Sequence, residues 1–286
     1  MNHLWISLST YGGVTTRTAL DVLWAAGIRQ VELAIGVKPT PDTTAVLQYY
    51  QQLGIQYRAH HAIVWQEHRS FNLADSFDAT YFERLTDWLA AMQITAYSVH
   101  AGRIDTNNSD AHVERFFKHL TQLAQLCRDR SIRLGVETMY PTLHDHAQRY
   151  FMQNLAEIEQ FFTVMPNVDL VIDLAHLHLW HNCSIPEKLQ VLQSANTAFG
   201  SAEAVRLLEL HISDNDGIRD NHTQISEATW WVPHIAHFPI DIPIVLESRM
   251  NGQTVEQVHQ QVQRIQSIFT PTISAPTSIT MGERHD

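Results

Sequence analysis

The feature that most constrains this chain is a repeat of spacing rather than of sequence. Short apolar or β-branched runs alternate with longer amphipathic stretches along its length, and from the third run onward each closes on a residue able to ligate a metal ion: His60, His100, Glu137, Asp173, His211 and Glu247. Successive members of this set are 40, 37, 36, 38 and 36 residues apart. Such an interval accommodates one strand, one helix and their loops, which is the repeating unit of a parallel sheet.

The first run spans about Leu4 to Ser9, followed by a Gly12-Gly13 turn. A helix opening near Thr15 then carries Ala19, Leu20, Leu23 and Trp24 on one face and stops at Gly27. The second run, Gln30 to Ile35, contains Glu32, and the helix after Pro41 presents Val46, Leu47, Tyr50 and Leu53 before Gly54. In the third, IQYRAHH, Ile55, Tyr57 and Ala59 alternate with Gln56, Arg58 and His60. The outer face of a closed barrel packs on helices and is apolar, so this alternation turns His60 inward rather than His61. Further helices are expected over Ala79 to Met92, Asp110 to Arg130, Met152 to Phe162 and Thr254 to Ile268, while Ile185 to Ala198 reads as less regular.

Eight strand–helix pairs in 286 residues predict an α/β fold, a (β/α)8 barrel forming one domain over 1–269, with a loose tail rich in Pro, Thr and Ser at 270–286. A doubly wound open sheet is the competing architecture. It is disfavoured because no GxGxxG follows the first strand and no GxxxxGK occurs.

In a (β/α)8 barrel the carboxyl ends of the strands converge on one face, so residues recurring once per βα unit meet in space. Imidazoles and carboxylates gathered there would be costly to bury unless a cation organised them. A mixed N and O ligand set suits Zn²⁺, Mn²⁺, Fe²⁺ or Co²⁺ better than Mg²⁺ or Ca²⁺. The sixth run continues as DLAH, placing His176 three residues past Asp173, and a later DNH supplies Asp220 and His222. These three read either as a further metal position or as contacts to substrate hydroxyls. Arg219 and Arg249 stand next to candidate ligands, where they would hold a phosphate or carboxylate group, or serve as solvated surface residues. Glu32 reads as a hydroxyl contact or a structural group. Trp65, Trp230 and Trp231 read as apolar walls for a sugar ring or as core residues.

Charge narrows the partner. The formal net charge is −11 and no run of Lys or Arg exceeds two residues, which disfavours nucleic acid and suits a small substrate. Cys127 and Cys183 lack the spacing of a zinc ribbon or a disulfide framework. The opening MNHLWISLST has no basic region leading into an apolar core, and no apolar stretch reaches about 18 residues, so a cytoplasmic protein without membrane association is expected. A homo-oligomer is left open.

These residues resemble the xylose-isomerase-like TIM barrels, a superfamily that includes sugar phosphate isomerases and epimerases and endonuclease IV. The likeness covers about residues 4–268 and is most specific at VET with Glu137, IDLAH with Asp173 and His176, ELHISDNDGIRDNH from His211 to His222, and VLES with Glu247. For the isomerase and epimerase branch the resemblance implies one divalent ion, Zn²⁺ or Mn²⁺, on Glu137, Asp173, His211 and Glu247, with His176 on the substrate. Glu137 and Glu247 would then be the catalytic bases, moving a proton next to a carbonyl. For the endonuclease IV branch it implies three zinc ions: one on His60, His100 and Glu137; a second on Glu137, Asp173, His211 and Glu247; a third on His176, Asp220 and His222. Ser226 to Ala228 reads SEA where that branch often has GEG. The leading expectation is a metal-dependent isomerase or epimerase of a sugar or sugar phosphate. A trinuclear zinc phosphoesterase, and a barrel that binds metal or sugar without turnover, are the alternatives.

Overall fold

A computed structural model of the protein describes residues 4–63, 65, 69–141, 147–197, 206–238 and 242–269. The tail expected at 270–286 lies outside the described residues. Eight parallel strands close into a barrel: β1 (Leu4–Ser7), β2 (Gln30–Leu33), β3 (Gln56–His60), β4 (Ala96–His100), β6 (Arg133–Glu137), β8 (Asp169–Asp173), β9 (Leu207–Ile212) and β10 (Ile244–Leu246). Neighbours follow chain order around the ring, and β10 pairs with β1 to complete it. Two short strands, β5 (Arg103–Asp105) and β7 (Gln148–Tyr150), form a separate antiparallel pair that the sequence reading did not anticipate.

Helices pack outside the strands because one face of each is apolar. Helix α1 (Thr16–Ala25) is capped by the Thr15 hydroxyl, which accepts from the Thr18 N–H, and buries Ala19, Leu20 and Leu23. Trp24, expected on the same face, is exposed, with the Arg29 guanidinium over its ring. Around the barrel follow α2 (Thr43–Gln52), α3 (Ala79–Ala91), α4 (Ser109–Arg128), α5 (Leu155–Val164), α6 (Leu174–His178), α7 (Ile185–Thr197) and α8 (Val255–Ile268). The α5 helix starts later than expected because Met152 adopts a positive φ of 64°, and Asn154 caps the helix by accepting from Glu157 N–H.

The stretch expected to be less regular is the continuous helix α7, with Leu189, Val191 and Leu192 buried. Its entry is a capping arrangement: the Ser184 N–H and hydroxyl both donate to the Glu187 carboxylate at 2.7 Å, and Pro186 falls in the first turn, where a missing N–H costs nothing. Among the described residues no helix is long and apolar enough to cross a membrane.

The interior is filled unevenly. Pairing between β8 and β9 slips by one residue, so that Leu170 faces Leu207 whereas Val171 faces Glu209. This bulge directs Leu208 onto Val171 and Ala96 to form a small apolar cluster. Gly135 makes room for it, since a Cβ there would lie 2.7 Å from Leu208 Cδ2 and 2.8 Å from Val171 Cγ2. Replacing Gly135 by Ala is therefore expected to destabilise the barrel by about 1–3 kcal/mol, the usual cost of overpacking, as measured by chemical denaturation.

Candidate metal centre

Strand register brings the periodic residues to one level. His100 is the Cα partner of Glu137, and Asp173 is that of His211. Glu247 lies just beyond β10, two residues past the Val245 that pairs with His211. All six therefore gather at the carboxyl end of the barrel, where Glu137, Asp173, His211 and Glu247 are buried.

Glu137 is the hub. Its Oε2 lies 3.2 Å from His100 Nε2 and 3.5 Å from His60 Nε2, and those two nitrogens face each other at 3.0 Å. Its Oε1 lies 3.4 Å from His176 Nδ1 and 3.5 Å from His211 Nδ1. His211 Nδ1 is also 3.7 Å from Glu247 Oε1. Toward solvent, Asp220 Oδ2 is 3.3 Å from His176 Nε2 and 3.2 Å from His222 Nε2, and His222 Nδ1 is 3.8 Å from Glu247 Oε2.

Local structure aims these atoms. Asp173 ends β8 and caps α6, its Oδ1 accepting from the N–H groups of Ala175 and His176 at 2.6 and 2.9 Å. That leaves Oδ2 for the mouth. The cap also starts the turn that carries His176, whose Nδ1 lies 2.7 Å from the Thr138 carbonyl and donates to it, leaving Nε2 toward Asp220. Asp214 and Thr223 exchange backbone hydrogen bonds, closing the loop that returns His222 to the mouth, and Arg249 N–H donates to the His222 carbonyl.

Electrostatically the two candidate bases differ. Burial drives the Glu247 carboxyl up to about 8 despite nearby His211 and His222. Burial also works to raise Glu137, but His100, His60 and His176 outweigh it and hold that carboxyl well below its usual value. Burial pushes His60 down to about 3. It also acts to lower His176, which Asp173, Asp220 and Glu137 nevertheless hold well above its usual value.

The donor set fits a metal ion. Among the described residues, Glu137 Oε2, Asp173 Oδ2, Asp220 Oδ1 and both His211 ring nitrogens are buried without a hydrogen-bond partner. Buried polar atoms without a partner are rare in native interiors, and a cation held among these oxygens and nitrogens would satisfy them. Ligand atoms lie within 4.8 Å of one another in each of four groups: His60, His100 and Glu137; Glu137, Asp173 and His176; Asp173, His211 and Glu247; Glu32, His60 and His211. Of these residues His60, His100, Glu137, His176 and Glu247 line a cavity of ≈ 140 Å³, walled also by Ile35, Met139, Tyr140 and Tyr150, whereas Asp173, His211 and Glu32 are buried and do not line it. An outer lobe of ≈ 510 Å³ adjoins it, sharing Ile35, His61, His100 and Tyr150.

The chain matches the family model described as the xylose isomerase-like TIM barrel over residues 20–267. It belongs to that family. Solved structures with the same fold include a D-tagatose 3-epimerase-like protein, at 12% identity and TM-score 0.69, covering 93% of this chain and 96% of the other. The IOLI protein with a bound zinc atom is 14% identical, with TM-score 0.68 and coverage of 96% and 100%. A family 2 AP endonuclease from Brucella melitensis is 16% identical, with TM-score 0.66 and coverage of 92% and 99%. No curated protein sequence matches the chain.

Within this xylose isomerase-like barrel, several candidate residues sit away from the cavity. Arg219 and Arg249 are exposed and do not line it, because their loops point them to solvent. Trp65 is buried against Trp88 and Tyr81 in the helical layer rather than against the cavity. Trp230 stacks on His178 and donates to the Leu174 carbonyl, while Trp231 is core and donates to Ser213. Glu32 is fully buried beneath His211, out of contact with the cavity. His60 points inward, and His61, at a positive φ of 46°, stacks its ring on His100 at 4.0 Å, so both line the cavity.

Sequence reasoning missed Tyr140 and Tyr150, which come from loop and accessory-strand positions with no periodic signal. It also missed Glu209, which strand alternation places on the same face as His211. Arg58 Nε donates to Glu209 Oε2 at 2.5 Å in the barrel interior. Changing Arg58 to Met would leave that carboxylate buried and uncompensated. The expected loss is about 3–5 kcal/mol of stability, read from the denaturation midpoint.

Proposed function

We propose that the protein is a divalent-metal-dependent isomerase or epimerase of a small sugar or sugar phosphate. The observation that carries this reading is that Glu137 and Glu247, reaching the site from different strands, flank one imidazole nitrogen, His211 Nδ1, at 3.5 and 3.7 Å. A proton can thus be taken from one side of a substrate carbon and returned from the other. The likeness to a sugar epimerase-like protein and to a zinc-containing barrel is consistent with it.

Glu137, Asp173, His211 and Glu247 would hold the ion, Zn²⁺ or Mn²⁺. When bound, it would polarise the substrate carbonyl and acidify the neighbouring C–H. Glu137 removes or returns that proton on one side and Glu247 on the other. The His176 ring, packed at 4.7 Å from Tyr140, orients substrate hydroxyls. Ile35, Met139 and Tyr150 keep bulk water from the reacting carbon, and the rest of the substrate extends into the outer lobe. The acidic balance of the chain favours a small molecule over nucleic acid.

A second reading, a trinuclear zinc phosphoesterase, is favoured by the facing His60 and His100 nitrogens across Glu137 and by His176 and His222 across Asp220. Metal content per chain separates the two. One equivalent, with deuterium entering a ketose or its phosphate in D₂O, supports the isomerase. Three equivalents with cleavage of a phosphodiester, and no deuterium exchange, would replace it with the phosphoesterase. Under the leading reading Glu137→Gln lowers the exchange rate by about 10²–10⁴-fold, the range for removing a general base; exchange at the wild-type rate would refute the assignment.

A further inference from the structure

Below the cavity the barrel holds buried charge that the proposed chemistry does not use. Glu32 from β2, Glu209 from β9 and Arg58 from β3 are inward-facing and buried under His211. His211 Nε2 is 3.4 Å from Glu32 Oε2 and 3.4 Å from Glu209 Oε1, whereas its Nδ1 faces Glu137 and Glu247. The imidazole therefore stands between two pairs of carboxylates, one pair at the mouth and one in the floor. Arg58 grips Glu209 through Oε2, which leaves Oε1 toward the ring. Glu32 is fully buried, and His211 Nε2 is the ring nitrogen its Oε2 faces.

A neutral imidazole has one ring proton to place. In a dry interior, a carboxylate facing a bare nitrogen lone pair is repulsive, whereas one facing N–H accepts a charge-assisted hydrogen bond. With a divalent ion neutralising Glu137 and Glu247 at the mouth, the two floor carboxylates are the ones left to accept the ring proton, which would fix it on Nε2 and leave the Nδ1 lone pair for the ion. We infer that Glu32 and Glu209, the latter braced by Arg58, are positioning residues that set the tautomer and ring orientation of His211 and so make Nδ1 its ligand atom. This rests on reading Glu137, Asp173, His211 and Glu247 as a divalent-metal site. Carboxylates in such positions hold a ligating histidine and raise its basicity, and their loss typically weakens metal affinity by about 10–100-fold.

The test uses the full chain labelled with nitrogen-15 histidine and loaded with cadmium-113. Coupling of cadmium to His211 Nδ1, with the proton on Nε2, is the expected spectrum. In calorimetry, Glu32→Gln is expected to bind Zn²⁺ about 10–100-fold more weakly than wild type, with unchanged stoichiometry and a cooperative melt. Cadmium on Nε2, Zn²⁺ binding by Glu32→Gln as tight as in the wild type, or loss of a whole metal equivalent in that variant would overturn the inference, the last by making Glu32 a ligand. If the variant does not fold, the wild-type cadmium spectrum decides alone. Wild-type protein that takes up no ion overturns the metal reading itself, and the inference with it, an outcome seen in the wild-type titration before any variant is made.

Discussion

The Glu137 carboxylate has four imidazole nitrogens within 3.5 Å, from His60, His100, His176 and His211, each contributed by a different segment of the chain. Burying that many polar groups around one carboxylate opposes folding unless each finds a partner, and several find none among the described residues. Closure of the barrel is what forces them together. Each strand must turn alternate residues inward, and the inward residue at each carboxyl end lands in the same small space. In the function proposed above, a divalent ion would resolve the conflict by replacing absent hydrogen bonds with ligation, so site and fold would be linked through one requirement.

That linkage explains why the architecture and the inner ring of the site are legible in the sequence. A strand, a helix and their loops occupy a nearly constant length, so polar residues at strand ends recur at a nearly constant interval, and alternation within IQYRAHH is enough to point His60 inward. Helix α7 was obscured because its apolar residues, Leu189, Val191 and Leu192, are few among polar neighbours, although the Ser184–Glu187 cap was there to be read. The bulge at Leu208 has no local signature. It arises from how β9 meets β8 and from the space left by Gly135, both of which are long-range facts.

Other side chains were left open between two readings for a shared physical reason. Arg219, Arg249 and Trp65 are close in sequence to strand ends or ligands, but a loop can turn a neighbour of a ligand in any direction. Only strand alternation and helix capping transmit direction reliably. Asp173 illustrates the contrast, because one of its oxygens caps α6 and thereby fixes both the other oxygen and His176. Tyr140 and Tyr150 reach the cavity from segments between regular barrel elements, and their placement depends on tertiary packing and the accessory β5–β7 pair.

The barrel interior holds three kinds of packing. The bulge and the small Ala96–Val171–Leu208 cluster fill one part, the Arg58–Glu209 pair and Glu32 underlie His211, and the imidazole–carboxylate ring opens to the cavity. The central claim is that this ring is a metal centre organised on Glu137 and His211. Anomalous diffraction from crystals grown with Zn²⁺ tests it most directly. The account predicts a peak within bonding distance of Glu137, Asp173, His211 and Glu247; a map with no peak at the strand-end mouth, the same carboxylates and imidazoles being ordered without an ion, would contradict it.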